Sequence, residues 1–365
     1  ASGYDATAPA ETAPLESLLR GREDAPDDFS HEVYDAMNGC LACKACATQC
    51  PIKVDVPEFR SRFFEHYHTR YRRPLKDYFF ATLEKIIWVL AWFPLLVNAV
   101  LRWSWFSGLL RRWVGIVDSP LLSEETVRRG LRARHAPAYD AAKIARLPAE
   151  EKRRSVLLVQ DAFTSFYESN VVLATYDLLT ELGYRVYVLP YRENGKALHV
   201  KGFLRAFRAV ARRNHAFLSA AAATGVPLIG LEPAVTLTYR DEYRHALGDR
   251  EPVPVLLLQE WLAGELAGRR GELPTLSAPE GGYSLLGHCT ERTAAVHSQK
   301  QWRQVFELLG LQLRAQDVGC CGMCGAYGHE TVHLEESKGI FEMSWARALP
   351  ANPDERARVA ATGHS

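Results

Sequence analysis

The pattern of apolar and polar positions divides the chain into three stretches. Residues 31–80 read as helices: Pro57 stands where a helix can start, after Asp55, and a basic, aromatic run follows to Arg73. Residues 86–106 are almost continuously apolar, broken by Asn98 and Arg102 and interrupted by Pro94. A membrane span needs about 20 apolar residues, and the proline would kink this one, so a crossing is disfavoured. A pair of buried helices is the expectation. A membrane-surface segment or a docking face for another domain stays open, because Trp88, Trp92, Trp103 and Trp105 lie near Arg102, Arg111 and Arg112. From residue 154 strands and helices alternate. Residues 155–160 (SVLLVQ) read as a buried strand, 170–182 as a helix ended by Gly183, and 185–189 and 226–230 as two further strands. The series restarts with a strand at 283–286, a helix ended by Gly310 and a strand at 311–315. Such alternation predicts parallel α/β layers.

The alternation is an internal repeat. A shift of 127 residues sets Leu158 on Leu285, Leu182-Gly183 on Leu309-Gly310 and Gly195 on Gly322, without a gap. The same shift sets Cys289 on Ala162, Cys320 on Glu193 and Cys321 on Asn194. One half therefore carries cysteines at the ends of its strands, and the other is expected to be the same scaffold without them.

Composition adds little until the cysteines are reached. The 365 residues suffice for two or three domains. The 44 basic and 43 acidic side chains nearly balance, which gives no nucleic-acid footprint. Residues 1–29 read as a tail or linker, and the chain as a piece of a longer polypeptide. The eight cysteines fall in two clusters, which points to metal rather than to disulfides. Thiols that bind metal must stay reduced, so the cytoplasm is the expected compartment.

The first cluster reads Cys40-Leu-Ala-Cys43-Lys-Ala-Cys46-Ala-Thr-Gln-Cys50-Pro51, the C-x2-C-x2-C-x3-C-P run of bacterial ferredoxins. Closely spaced thiolates wrap one [4Fe–4S] cubane, whereas zinc knuckles separate two C-x2-C pairs by a longer loop. All four are expected to bind one cluster; the alternative gives Cys50 to a second centre. The second cluster is Cys289 with Gly319-Cys320-Cys321-Gly322-Met323-Cys324. Vicinal cysteines rarely form a disulfide, and the glycines let the backbone approach a bulky group. A second metal site at Cys289, Cys320 and Cys321, zinc or iron–sulfur, is the expectation, with inert buried thiols as the alternative. Cys324 reads as a ligand, a spare thiol or packing. His288, His297 and His329 are weaker candidates. The predicted architecture is α/β. A helical ferredoxin-like [4Fe–4S] domain spans 30–80 and an apolar, basic helical connector spans 81–150. An α/β half without cysteines follows at 151–265, and one with them at 266–365.

With both motifs placed, the chain resembles the iron–sulfur regions of FAD-linked D-2-hydroxyacid dehydrogenases of the D-2-hydroxyglutarate or D-lactate type. These are related to the C subunit of anaerobic glycerol-3-phosphate dehydrogenase and to heterodisulfide reductase subunits. The resemblance rests on residues 40–57, Asn194-Gly195-Lys196-Ala197, Gly230-Leu231-Glu232-Pro233 and Gly319-Cys320-Cys321-Gly322-Met323. It implies CCG-type α/β subdomains and an FAD domain outside this chain, since no flavin-binding glycine motif is present. It also implies electron transfer from that FAD to a quinone, cytochrome or flavoprotein. Separately, the tryptophans of residues 86–106 and the arginines near them leave open a peripheral contact at the inner face of the membrane. The family often has a further cysteine about where this sequence ends, so the second site is expected to be incomplete. Two alternatives remain: a heterodisulfide-reductase-like or glycerol-3-phosphate dehydrogenase C-type subunit, and a non-enzymatic membrane-anchoring redox scaffold.

Overall fold

The computed structural model describes residues 28–363 except 249, 270, 275 and 277–280. The expected tail lies almost wholly outside the described residues. The rest is a mixed α/β structure with two parallel sheets, as the alternation predicts.

The first sheet has the order β2-β1-β3-β4, with β1 at Ser155–Val159, β2 at Arg185–Val188, β3 at Leu228–Gly230 and β4 at Val255–Leu257. All pairings are parallel. β1 is buried throughout because both faces of the sheet are covered. Leu157 and Val159 point to one core with Phe207 and Leu218 of helix Leu204–Ala222. Val156 and Leu158 point to the other, with Leu179 of helix Ser169–Glu181 and Leu262 of helix Leu258–Ala267. Each fully buried Leu or Ile contributes about 1.5–3 kcal/mol.

The second sheet has the order β6-β5-β7, with β5 at Tyr283–Leu286, β6 at Leu313–Gln316 and β7 at Val359–Ala361. Its register repeats the first. Val156 pairs with Val186, and Tyr283, 127 positions on, pairs with Leu313. The third strands join the same way, Leu157 opposite Leu228 and Ser284 opposite Val359, so the second half carries four more residues before its third strand. The two halves share a core, since Val305 and Leu309 pack with Trp261 and Leu262. A smaller cluster of Leu286, Val318, Cys321 and Trp345 lies on the second sheet.

The cysteine-motif region is held by helices Ser30–Asn38 and Val56–Arg70, where Tyr34 stacks on Tyr67 with ring centroids 4.4 Å apart. Asp55 caps the second helix by accepting a hydrogen bond from the Glu58 N–H (3.0 Å).

The connector corrects one expectation. Residues 86–106 fall on the end of helix Leu75–Leu90 and on helices Pro94–Leu101 and Ser104–Leu109. They are not a buried pair: Ile87, Ala91 and Asn98 face inward, but Trp92, Phe93, Leu95, Leu96, Trp103 and Trp105 are each more than 60 % exposed. Hydropathy alone does not distinguish a core face from an outward one. No helix among the described residues is long and apolar enough to cross a membrane.

Candidate metal centre

Two left-handed residues shape the first cysteine loop: Ala42 (φ 49°) and Lys44 (φ 59°) flank Cys43 and turn the chain sharply on each side of it. Cys46 lies on the short helix Ala45–Gln49, and Cys50 ends it in an extended conformation. Backbone N–H groups of Val54, Ile52 and Lys53 are directed at the Cys50 sulfur and lower its thiol pKa. All four thiols are half-buried.

Lys44, inside the motif, pins this loop to the first α/β half. Its ammonium bonds Asp241 and lies 3.2 Å from Glu242 and 3.9 Å from Asp55. Glu242 also bonds Lys196. Burial alone would lower the Lys44 pKa, but the surrounding carboxylates outweigh it and raise it. Burial likewise opposes ionisation of Glu242, yet Lys196 and Lys44 bring its carboxyl down to about 2.

The second cysteine set follows the strand ends. Cys289 opens helix Cys289–Ala294 just after β5, and Cys320-Cys321 follow β6. Contact with the Cys289 thiol, aided by burial, pushes the Cys320 thiol up to about 11, and the Gly322 N–H donates to Cys320 Sγ (3.3 Å). The structure thus brings Cys289 and Cys320 together, with Cys321 turned into the apolar core beside Trp345. His288 caps the Cys289 helix through Nδ1, and its burial, with Lys196 nearby, lowers its pKa to about 4. His329 bonds Asp118 (2.6 Å), and His297 is exposed.

The two sets lie against each other. The Cys324 thiol donates to the carbonyl oxygen of Leu41, and Thr293 Oγ1 donates to the carbonyl of Cys43 (2.9 Å). Cys324 is left-handed (φ 40°), and burial pushes its thiol to about 12. A cavity of about 230 Å³ opens at this junction, lined among others by Cys40, Cys289, Cys324, His288, Lys196 and Glu84. Burial raises Glu84 to about 7, although it accepts a hydrogen bond from the Gly195 N–H (2.7 Å).

Sequence reasoning missed Glu84, Lys44 and the seam between the cysteine sets. Lys44 stands inside the motif, and only its position among the thiols could have signalled a role. Among the described residues, no group of three His, Cys, Asp or Glu side chains is arranged to hold a metal ion. The donor chemistry nonetheless fits an iron–sulfur cluster at the first set: four soft thiols on one tight loop, with backbone N–H groups aimed at one of the sulfurs. At the second set, Cys289 and Cys320 are a partial set of soft donors.

The chain is similar to D-2-hydroxyglutarate dehydrogenases. It is 49 % identical over 346 residues to the enzyme of Pseudomonas putida, an alignment covering 95 % of this chain and 33 % of that protein. The Escherichia coli and Pantoea ananatis enzymes are each 44 % identical over 339 residues, covering 93 % of this chain and 33 % of theirs. The chain thus spans about a third of the length of the curated relatives it matches. No protein-family model and no solved structure matches it.

Proposed function

We propose that this chain is the iron–sulfur electron-transfer region of a flavin-linked D-2-hydroxyacid dehydrogenase, of the D-2-hydroxyglutarate type. The observation that carries the reading is the first cysteine loop itself, with four thiols in ferredoxin spacing seated in a folded cradle. Cys40, Cys43, Cys46 and Cys50 would hold a [4Fe–4S] cluster, which supplies one-electron transfer when bound. Lys44 fixes the loop on the first α/β half through Asp241 and Glu242. Thr293 and Cys324 fix it on the second through the carbonyls of Cys43 and Leu41. Cys289 and Cys320, with Cys321 behind them, would hold a second metal, zinc or iron–sulfur. FAD and the hydroxyacid belong to a region outside this chain, and the thiols call for a reducing compartment, the cytoplasm.

The likeness to D-2-hydroxyglutarate dehydrogenases supports the substrate class. The test uses the flavoprotein in which this chain occurs, carrying Cys43→Ser. D-2-hydroxyglutarate should still bleach the flavin, while reduction of an external acceptor falls by at least about a hundredfold, beyond the 2.7 kcal/mol that two decades represent. Unchanged acceptor reduction would refute the role given to this region.

A further inference from the structure

We propose that residues 85–113 form a lipid-contact surface that rests on an anionic bilayer. The proposal does not depend on the redox reading. Half of the large hydrophobic side chains exposed among the described residues fall in this stretch. The tryptophans make the point most sharply. Five of the eight, Trp88, Trp92, Trp103, Trp105 and Trp113, are 46–67 % exposed here, whereas Trp261 and Trp345 lie in cores at 5 % and 6 %. A folded chain rarely exposes such an apolar face without a partner.

The scaffold beneath it is fixed. Asn98 is buried and exchanges two hydrogen bonds with the backbone of Leu122, each 2.8 Å. Ile87 and Ala91 are buried on the same side. The short helices Pro94–Leu101 and Ser104–Leu109 therefore turn their apolar side chains outward as a rigid ridge.

Charge selects the partner. Between Glu84 and Asp118 there is no acidic residue, while Lys85, Arg102, Arg111 and Arg112 are all exposed. None of these four cations makes an ion pair among the described residues, although carboxylates serve cations elsewhere in the fold. Tryptophans interleaved with unpaired arginines suit the headgroup level of a membrane, where an indole ring keeps one edge wet and the cations meet anionic lipid. No helix among the described residues is long and apolar enough to cross, so the contact proposed is a peripheral one.

Flotation of the 365-residue chain with vesicles tests this. Binding is expected to vesicles of phosphatidylcholine with phosphatidylglycerol, and to weaken with salt. It should be much weaker to phosphatidylcholine alone. Brominated lipid should quench most of the tryptophan emission. Arg111→Gln with Arg112→Gln should weaken binding about thirtyfold, and Trp103→Ser with Trp105→Ser should abolish it while leaving the unfolding midpoint unchanged. Absence of binding to anionic vesicles overturns the proposal. So does a stable dimer that Trp103→Ser with Trp105→Ser dissociates, since a second copy then covers the ridge. Protection of these tryptophans from quenching in the longer flavoprotein overturns it in favour of the flavin region.

Discussion

In the second α/β half the N–H of Gly322 is given to the sulfur of Cys320. At the equivalent turn of the first half the N–H of Gly195 is given to the carboxylate of Glu84, which arrives from helix Leu75–Leu90. Both glycines are left-handed, with φ of 88° and 85°. One turn, in one register, thus presents thiols in one copy and receives a neighbouring helix in the other. Glu193 and Asn194, in the places of Cys320 and Cys321, make polar contacts instead: Glu193 with Arg213 (2.8 Å), and Asn194 with the backbone N–H of Lys196 (3.1 Å). The half without cysteines is therefore more than a relic of the repeat. It carries Asp241 and Glu242, which hold the ferredoxin-like loop through Lys44. One copy thus presents thiols at this turn, and the other docks the first cysteine loop through Asp241 and Glu242.

The largest effect should come from breaking that dock. Lys44→Met removes the cation from two carboxylates, of which Glu242 is fully buried, and should cost about 3–5 kcal/mol, read as a lowered urea midpoint. A cost near zero would mean that the first half does not hold the loop. Next, the two glycine turns can be set against each other. A methyl at Gly322 would meet the Ser337 carbonyl oxygen at 2.3 Å, a backbone atom that cannot step aside. At Gly195 it would meet only Phe207 and Val210 side chains at 3.2 Å. Gly322→Ala should therefore cost about 3 kcal/mol or more, and Gly195→Ala about 1–2 kcal/mol from the left-handed backbone alone. Equal costs would show that the second turn is no tighter than the first.

The last effect, absent at low pH, concerns Glu84. Its carboxyl rises from 4.5 to about 7, chiefly through burial and despite the N–H groups of Gly195 and Asn194. A raised carboxyl pKa means that the folded state binds the extra proton. Its contribution is whole below about pH 4.5 and is lost as pH climbs through 7. Glu84→Gln, which keeps an oxygen for the Gly195 N–H, should remove that loss. The variant should match the parent at pH 4 and exceed it by about 2 kcal/mol at pH 8. Destabilisation at every pH would show that the ionised carboxylate is the form the turn holds.

Much of this was legible in the sequence for physical reasons. The run SVLLV, apolar after its serine and β-branched at both valines, reads as a strand buried on both faces and is one, and Gly195 and Gly322 keep the register of the repeat because both turns need a left-handed residue. The spacing of Cys40 to Cys50 is the sequence feature behind the proposed cluster, and the structure sets these half-buried thiols on one tight loop. The seam between the two cysteine sets was not legible. Cys324 reaches Leu41 and Lys44 reaches Asp241 across most of the sequence, and no local pattern encodes such contacts. The ridge at Trp92 and Trp103 was misjudged as core because hydrophobicity records a preference for leaving water, not the partner that removes it.

Iron and sulfide content decides the central claim most directly. The chain purified without oxygen should hold about four iron and four sulfide on its first cysteine loop. Cys43→Ser should strip these and the broad visible absorption, while Cys289→Ser leaves them in place and removes only metal bound at the second set. Full iron and sulfide retained in Cys43→Ser would contradict the assignment of the cluster to Cys40, Cys43, Cys46 and Cys50.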